Sequence, residues 1–378
     1  MSEKLTLGVV GDVTAFHREP ESGYAFVGSY LQELDIVFAQ NERLYTTSED
    51  IIPAVGWTEV TRPENVAGLK LGNYDVISCA SNHSGDLGPD ILMETIAALR
   101  DNGFAVIGAG ANIAEARKPA FVDRGDTRVG FLGYCSLLRP NYEAGPQRPG
   151  AVPMRAHTHY QQVDYQPGTK PKILTFPVAE DLAAMVADIR AAKEQCDVLA
   201  VSFHWGVHLV KGVLPDYEHA VARAAIDAGA DVIIGHGPHV IKAIEFYNGK
   251  PIFHSLGNFC FDLPSKLIEE ARARNKEFDE LIASHQEIHE PTEYDEWYHP
   301  YSVSPDQVLS LIGQVEIVDK RVGRVSFRPV VINKRAQPVV QKPDDPGFTQ
   351  VLDYLTEVTQ SEGISTSYTI EGDEVVCR

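Results

Sequence analysis

Residues 231–239 read Asp-Val-Ile-Ile-Gly-His-Gly-Pro-His, an apolar run that ends at two histidines, His236 and His239. The apolar residues predict a short buried strand, and the glycines and the proline end it and turn the chain. Such a strand presents its histidines on a loop at the edge of a sheet, where a metal ion or a substrate can reach them. A single histidine in this place is as often a loop residue without a function. A functional role for His236 and His239 therefore depends on whether other strands of the chain end in the same way.

The composition narrows the class of protein. The chain has 378 residues, 44% of them hydrophobic and 23% charged, which suffices for one large or two medium domains with a buried core. Its net charge of −20 argues against nucleic acid or an anionic membrane surface as the main partner. The five scattered cysteines include no CxxC pair and predict free thiols in a reducing compartment. No signal peptide or membrane-spanning run is recognisable, so we expect a cytoplasmic protein with a small-molecule substrate.

Apolar strands alternate with amphipathic helices along most of the chain. The predicted strands are 5–10, 35–39, 74–80, 104–108, 120–122, 129–134, 197–203, 231–234, 243–247 and 251–256, and the predicted helices are 23–34, 64–71, 89–102, 114–117, 178–195, 216–228 and 347–361. This alternation indicates an α/β fold in which both faces of the sheet are covered. A late hairpin of 308–318 and 324–332 is expected to form a second sheet that packs on the first.

The chain is interpreted as one main domain, 1–340, followed by a C-terminal helix and short strands, 341–378, packed on it. Two insertions interrupt the main domain. Residues 138–172 are rich in proline, glycine and histidine and predict a long functional loop at the rim. Residues 264–300 are first charged and then aromatic, which indicates a lid or a partner-contacting segment. The aromatic cluster 294–301 fits the core of a lid or a homodimer contact equally well.

Polar side chains follow five of the predicted strands. They are Asp12, Glu42, the pair Asn82 and His83, His204, and the pair His236 and His239. In an open α/β sheet, ligands bind outside the carboxyl ends of the strands, so these residues are expected to converge in space. Carboxylate, amide and imidazole donors together suit one or two divalent ions such as Zn, Mn or Fe. Two ions about 3.5–4 Å apart would clamp the attacking and leaving oxygens of a hydrolysis.

The strand-end residues belong to short motifs that follow one another in a fixed order along the chain. They are Gly11-Asp12, Asn41-Glu42, Ser81-Asn82-His83 with Asp86, Gly108-Ala-Gly110 with Ala116-Arg-Lys-Pro119, His204-Trp205-Gly206, Gly235-His-Gly-Pro-His239 and Ser255-Leu-Gly-Asn258. Over roughly residues 5–262 the chain resembles the CapA-type branch, associated with poly-γ-glutamate and capsule biosynthesis, of the calcineurin-like metallophosphoesterases. The resemblance implies a four-layer α/β/β/α fold, in which two packed mixed β-sheets are flanked by helices.

The resemblance also implies roles for the strand-end residues. Asp12 would bind the first metal, Glu42 would bridge the two ions and Asn82 would bind the second. His204, His236 and His239 would complete the coordination shells, and the catalytic pair would be His83, which protonates the leaving group, and Asp86. These roles are chemically consistent, because a bridging carboxylate spreads one charge over two cations and an amide oxygen binds without adding charge. An imidazole that is not a ligand can carry a proton near neutral pH.

Three residues depart from the family pattern. Thr14 stands where the wider phosphoesterases have a histidine, so the first metal is expected to be bound more weakly or not at all. Arg43 alters the Asn-Leu-Glu pattern around Glu42. His208 occupies a place where many relatives carry glutamate, and it is interpreted either as a rim residue or as an extra ligand or substrate contact.

Four residues are assigned to substrate binding: His208, Trp205, Ser255 and Asn258. Each has a plainer alternative. Trp205 can serve packing alone, whereas Ser255 and Asn258 can form a strand-end turn or orient a ligand histidine. His157 and His159 lie in the first insertion and are expected to be solvated.

Two functional hypotheses follow. In the first, the protein is a metal-dependent hydrolase in which a metal-activated hydroxide attacks a phosphoester or an amide-type carbonyl. In the second, it is a non-catalytic accessory protein of poly-γ-glutamate or capsule metabolism that retains the fold and binds a ligand in the cleft. Thr14 favours the second hypothesis. The Gly108-Ala-Gly110 sequence lacks the third glycine of a dinucleotide-binding loop, so that reading is poor.

Overall fold

A computed structural model describes residues 4–15, 17, 19–48, 60–262 and 305–378, with positions 273, 276 and 280. Within these residues the strands are β1 (Lys4–Val13), β2 (Ile36–Asn41), β3 (Leu44–Tyr45), β4 (Val60–Thr61), β5 (Val76–Ser78), β6 (Ala105–Ile107), β7 (Ala109–Gly110), β8 (Ala120–Arg124), β9 (Thr127–Cys135), β10 (Gly150–Ala151), β11 (Ala156–Gln161), β12 (Lys172–Pro177), β13 (Val198–His204), β14 (Val232–His236), β15 (Ile244–Tyr247), β16 (Lys250–Phe253), β17 (Leu309–Val318), β18 (Arg321–Ile332), β19 (Pro338–Val340), β20 (Tyr368–Glu371) and β21 (Glu374–Cys377). The α-helices are α1 (Gly28–Leu31), α2 (Pro89–Asp101), α3 (Ile113–Ala116), α4 (Ala179–Lys193), α5 (Asp216–Ala228) and α6 (Pro346–Ser361), and 3-10 helices span Pro20–Tyr24, Pro63–Gly72 and Pro305–Val308.

The larger sheet has the order β20-β21-β18-β17-β1-β2-β5-β6, with β19 paired to β18. Strands β1, β2, β5 and β6 run parallel to one another. The smaller sheet has the order β15-β16-β14-β13-β9-β8, and its four strands β9, β13, β14 and β16 are also parallel. Each sheet therefore brings the carboxyl ends of several strands to one edge, which is the geometry that a site built from strand ends requires.

The two sheets pack face to face through a shared apolar core. Phe38 of β2 stacks on Phe131 of β9 with ring centroids 6.0 Å apart, and both side chains are fully buried. The outer face of the larger sheet is covered by α1 and α2, and that of the smaller sheet by α4 and α5. Each fully buried aliphatic or aromatic side chain stabilises this arrangement by about 1.5–3 kcal/mol relative to its exposed state. The expected four-layer α/β/β/α architecture is confirmed.

Local sequence signals explain several elements. Helix α2 begins at Pro89 and buries Leu92, Ile96 and Leu99 at helical spacing. The hairpin of β15 and β16 turns at Asn248 and Gly249, whose φ angles of 49° and 74° are those of a two-residue hairpin turn. Among the described residues, no helix combines the length and the apolar character needed to cross a membrane.

Two expectations about architecture were wrong. The late hairpin, β17 and β18, does not start a second sheet, because β17 pairs antiparallel with β1 and extends the larger sheet. The segment 138–172 is not a loop throughout, because β10 pairs with β7 and β11 pairs with β12. The polar alternation of β11 concealed a hairpin that is exposed on both faces. Residues 264–300, expected to form a lid or a partner contact, lie outside the described residues except for positions 273, 276 and 280.

Candidate metal centre

The carboxyl ends of the two sheets meet at one place. The backbone N–H of Asp12, near the end of β1, donates to the carbonyl of Gly257 at 3.0 Å, and the N–H of Phe259 donates to the carbonyl of Asp12 at 2.9 Å. These bonds join the larger sheet to the segment that follows β16. A Cβ atom at Gly11 would lie 2.1 Å from the carbonyl oxygen of Gly257. Glycine at position 11 therefore permits the close approach that holds the two sheet edges together.

Two carboxylates and three imidazoles from four strand ends converge there. One oxygen of Asp12 lies 3.2 Å from His236 Nδ1, and the other lies 3.4 Å from His239 Nδ1. Glu42 Oε1 lies 3.2 Å from His204 Nδ1. Ligand atoms of Asp12, Glu42 and His204 all lie within 4.8 Å of one another. The structure thus brings together residues that are separated by more than 190 positions in the sequence.

The buried polar atoms of this cluster lack hydrogen bonds. Within the described residues, both oxygens of Asp12, Oε1 of Glu42 and both ring nitrogens of His204 and His236 have no hydrogen-bond partner. All four side chains are completely buried. Burying two carboxylates costs several kcal/mol per charge unless each charge is paired. A divalent cation bound here would neutralise both carboxylates and would accept lone pairs from the imidazole nitrogens. The residues present therefore fit the metal that the donor set predicts.

The protonation states agree with metal ligation. Burial, and then the nearby charge of Glu42, raise the pKa of Asp12 well above its ordinary value. Burial lowers the pKa of His204 well below its ordinary value, and it lowers the pKa of His236 and His239 to about 3. These three imidazoles are therefore neutral near pH 7, which is the form that binds a metal ion.

Asn258 positions one of these histidines. Its Oδ1 lies 2.8 Å from His239 Nδ1, the ring nitrogen that also faces Asp12 at 3.4 Å, so this contact fixes the orientation of the imidazole. His239 has a φ of 58°, a left-handed conformation that is uncommon for histidine and is typical of functional sites. The preceding Gly237 has a φ of 104°, and a Cβ there would lie 2.7 Å from the carbonyl oxygen of Trp205. The turn after β14 thus has a strained backbone conformation, and this conformation places the imidazole of His239 beside Asp12.

The predicted amide ligand and the predicted acid lie on the loop after β5. Ser81 Oγ donates to Glu42 Oε2 at 2.9 Å and lies 3.3 Å from Asn82 Oδ1. His83 Nδ1 lies 2.6 Å from Asp86 Oδ2, and about a quarter of the His83 side chain is exposed. The loop therefore presents Asn82 beside Glu42 and leaves the imidazole of His83 partly open to solvent.

Thr14, which stands where the wider phosphoesterases have a histidine, is hydrogen-bonded to Asp262. Its hydroxyl donates to Asp262 Oδ1, and the backbone N–H of Asp262 donates to Thr14 Oγ1 at 3.1 Å. His17 Nδ1 lies 3.4 Å from the other oxygen of Asp262. Arg43, the second departure, donates from Nη1 to the backbone carbonyl of Glu42 at 3.1 Å and lies over the ring of Phe261. Both departures are thus built into buried contacts beside the site.

Some of the predicted substrate contacts require correction. Trp205 is completely buried, stacks on Phe203 and donates from Nε1 to the carbonyl of His254 at 2.9 Å, so it packs on the helix side of the smaller sheet and cannot contact a substrate. Ser255 is buried as well, and its Oγ accepts a hydrogen bond from the amide of Gly257. It orders the turn before Asn258, which was the plainer alternative.

The remaining histidines divide as their environments dictate. His208 is exposed at the rim, with its ring centroid 5.5 Å from that of His239. Its roles as a rim residue, an extra ligand or a substrate contact stay predictions. His157 and His159 lie on the exposed strand β11, as expected for solvated side chains.

Three residues that take part in this geometry were not predicted. Ser81 links Glu42 to Asn82, and only its place beside Asn82 in the sequence pointed to it. Tyr142 donates to Asp86 Oδ1 at 2.9 Å. It comes from the segment 138–172, where nothing in the sequence distinguished it from its neighbours. Asp262 became recognisable only once the fold placed it against Thr14.

Comparisons with known proteins show what this chain is similar to. The PGA biosynthesis protein CapA of Bacillus subtilis (strain 168) is 31% identical over 203 residues, 53% of this chain and 46% of that protein. The capsule biosynthesis protein CapA of Bacillus anthracis is 27% identical over 277 residues, 69% of this chain and 61% of that protein. The chain thus spans about half to three fifths of the curated relatives it matches. The crystal structure of the calcineurin-like phosphoesterase YfkN from Bacillus subtilis aligns with 14% identity over 96% of this chain and 98% of that chain, with a TM-score of 0.40.

A family model matches more than half of the chain. The sequence profile described as "Bacterial capsule synthesis protein PGA_cap" aligns with residues 6–263. This range includes every strand end that contributes to the cluster around Asp12 and Glu42. The chain therefore belongs to the bacterial capsule synthesis protein PGA_cap family.

Proposed function

We propose that the protein is a metal-dependent hydrolase of a small phosphoester or amide-type substrate. The observation that supports this function most strongly is the set of completely buried, hydrogen-bond-deficient donors formed by Asp12, Glu42, His204 and His236. Such a set is costly in a folded protein unless it binds a cation. Its place at the carboxyl ends of parallel strands is where α/β proteins bind their ligands.

The side chains have separate tasks in this proposal. Asp12, Glu42, Asn82 and three histidines, His204, His236 and His239, hold one or two divalent ions, with Zn, Mn and Fe as the candidates. Ions bound there would act as Lewis acids and would lower the pKa of a bound water. Asn258 fixes the orientation of His239, and Ser81 fixes one oxygen of Glu42. Such outer contacts keep ligands oriented and are needed for full metal affinity.

His83 is the proposed general acid. Its Nδ1 contact of 2.6 Å with Asp86 fixes the ring, and Tyr142 holds the other oxygen of Asp86. The opposite ring nitrogen, Nε2, is then directed away from Asp86 and can give a proton to the leaving group. His83 is partly exposed whereas the proposed ligands Asp12 and Glu42 are buried. A substrate that enters from solvent could therefore reach the imidazole of His83, as a leaving-group acid requires.

Net charge and the names of the relatives narrow the class of substrate. The acidic chain, with its net charge of −20, disfavours a long polyanion except where bound cations reverse the local sign. The curated relatives are named for capsule and poly-γ-glutamate (PGA) biosynthesis, which makes a γ-glutamyl amide a candidate beside a phosphoester. A cytoplasmic location, as expected from the sequence, is part of the proposal for a small substrate.

The experiment is an activity panel combined with metal analysis. Purified protein is loaded with Mn, Zn or Fe and tested on phosphoesters, cyclic nucleotides and γ-glutamyl amides. We expect turnover of at least one class, with loss of both activity and bound metal in Asp12→Asn and His236→Ala. The matched control is His159→Ala, which removes an exposed imidazole from β11. Full metal content and full activity in both site variants would refute the proposal.

The same panel tests the alternative of a non-catalytic accessory protein. The observation that favours it is Thr14, whose hydroxyl is bonded to Asp262 instead of serving as a ligand. Thermal stabilisation by one of the panel compounds, without turnover under any metal, would support the accessory role.

A further inference from the structure

A second group of histidines and carboxylates lies on the opposite face of the smaller sheet. Phe253 of β16 pairs with Ile234 and faces the core between the sheets. Because side chains alternate along an extended chain, His254 faces the helix layer instead. There it meets His219 of α5 and Glu245 of β15. We call these three residues, with Glu218 and Arg223 of α5, the helix-side cluster.

The distances within the helix-side cluster suit one metal ion. His254 Nε2 lies 3.1 Å from Glu245 Oε2, and His219 Nδ1 lies 3.3 Å from the same oxygen. All three ligand atoms lie within 4.8 Å of one another. Tetrahedral zinc with ligand bonds of about 2.0–2.1 Å separates neighbouring ligand atoms by about 3.3 Å. The two separations from Glu245 Oε2 therefore match edges of such a tetrahedron.

The surroundings supply the outer contacts that a metal-binding histidine requires. Glu218 Oε2 lies 3.5 Å from His254 Nδ1, the ring nitrogen that faces away from Glu245. Glu218 is 1% exposed, and within the described residues neither of its oxygens has a hydrogen-bond partner. Arg223 Nη2 lies 3.2 Å from the second oxygen of Glu245. A carboxylate behind the histidine and a fixed carboxylate ligand are recurrent outer contacts of zinc sites.

The charges also call for a cation. Two carboxylates, Glu218 and Glu245, flank the completely buried ring of His254. The side chain of His219 is 27% exposed, which provides an entry path from solvent for an ion. The cluster connects α5 to the hairpin of β15 and β16, and the chain after that hairpin leads directly to Asn258.

We propose that His219, Glu245 and His254 bind one divalent transition-metal ion of the zinc type, with Glu218 and Arg223 as outer contacts. This ion is separate from those of the candidate metal centre and does not depend on the proposed hydrolase function. Its role is structural, because it ties α5 to the hairpin that positions the turn before Asn258. The three protein ligands leave a fourth coordination position for a water molecule.

The test is a zinc titration of chelator-treated, full-length protein, followed by elemental analysis. It is carried out in an Asp12→Asn, His236→Ala background, which weakens the candidate metal centre. We expect His219→Ala to weaken the affinity of one zinc equivalent by more than about 100-fold, because it removes a direct ligand. His219 is partly exposed, so this variant is expected to fold. The control is again His159→Ala, which should leave the titration unchanged.

A second variant separates a built site from general loss of structure. Glu218→Gln keeps the size of the side chain and removes only the charge behind His254, and we expect about 10–100-fold weaker zinc binding. Circular dichroism in the presence of chelator confirms that each variant is folded. Zinc binding of equal stoichiometry and affinity with and without His219→Ala and Glu218→Gln would overturn the proposal. So would the absence of any zinc equivalent beyond those removed by the Asp12→Asn, His236→Ala background.

Discussion

The candidate metal centre and the helix-side cluster use the same kinds of side chain in opposite arrangements. In the metal centre, neutral imidazoles surround two carboxylates, and burial lowers the pKa of His236 and His239 to about 3. In the helix-side cluster, the carboxylates of Glu218 and Glu245 flank the buried imidazole of His254. Burial alone would lower the pKa of His254, but the nearby carboxylates of Glu218 and Glu245 outweigh it and raise the pKa. The charges around a buried histidine therefore determine its protonation state more than burial alone does.

The candidate metal centre and the helix-side cluster also differ in which of their side chains are exposed to solvent. The buried donors of the metal centre lie beside the partly exposed His83 and His239, whose side chains are 26% and 13% exposed. The helix-side cluster has its opening at His219, on the surface of α5, and no proposed acid faces it among the described residues. This difference is the physical reason to assign chemistry to the first and a structural role to the second.

The largest expected effect comes from removing a ligand of the metal centre. His236→Ala or Asp12→Asn should lower the proposed hydrolytic activity by more than about 10³-fold, because an ion at the reacting atoms is usually the largest electrostatic contribution. Steady-state kinetics and elemental analysis measure both effects. His219→Ala should leave activity within a few-fold of the wild type. Equal losses in His219→Ala and His236→Ala would abolish the distinction between the two clusters.

The next effect isolates the proposed acid from the metal. His83→Asn should lower kcat by about 10²-fold, near the lower end of the range for general acid catalysis, with unchanged metal content. A substrate with a good leaving group needs less protonation, so its kcat should fall less. Loss of metal in His83→Asn would instead identify His83 as a ligand. Asp86→Asn should give a smaller loss in the same direction, since Asp86 acts by orienting the ring.

A smaller effect is expected from the residue that positions His239. Asn258→Ala removes the 2.8 Å contact to His239 Nδ1 and should weaken metal affinity by about 10–100-fold. Competition with a chelator of known affinity measures the change. Asn258→Asp, which keeps an acceptor oxygen, should restore most of the affinity. Failure of Asn258→Asp to restore it would mean that Asn258 contributes in another way, for example through its contact with the His239 carbonyl.

The sequence predicted the metal centre better than the helix-side cluster for a physical reason. Asp12, Glu42, His204 and His236 all follow apolar strands, and parallel strands bring their carboxyl ends together whatever their separation in the sequence. The members of the helix-side cluster come from a helix and a hairpin. Their meeting depends on the face that α5 turns toward the sheet, and His254 appeared in the sequence only as the residue before a motif.

The fold shows the same division. The apolar period predicted β13, β14 and α5 within a residue or two, because burial on both faces leaves a continuous apolar signal. It did not predict β11 and β12, whose residues are largely exposed. Nor did it place β17 beside β1, because strand order in a sheet is set by long-range pairing that no local pattern records. Tyr142 was missed for the same reason, since its partner Asp86 lies 56 residues away.

In metal-free protein, the histidines of the two clusters should change the stability with pH in opposite directions. His236 and His239 have a pKa of about 3 when folded and about 6.5 when unfolded. Between these values the two imidazoles bind protons in the unfolded chain but not in the folded protein, so their contribution to the free energy of unfolding falls as the pH falls from 6.5 toward 3. The expected slope is about 1.4 kcal/mol per pH unit for each imidazole. For His254 the folded pKa is raised, so its stabilisation is present below about pH 6.5 and is lost as the pH rises through the raised value.

Denaturant unfolding across this pH range, with chelator present, tests both signs with one variant of each cluster. His239→Asn should flatten the acid limb by about one proton, and asparagine tolerates the positive φ at this position. His254→Gln should flatten the limb above pH 6.5 and leave the acid limb unchanged. His159→Ala should reproduce the wild-type curve. If His254→Gln flattened the acid limb instead, its imidazole would be held neutral like those of the metal centre, and the carboxylates around it would not control its proton.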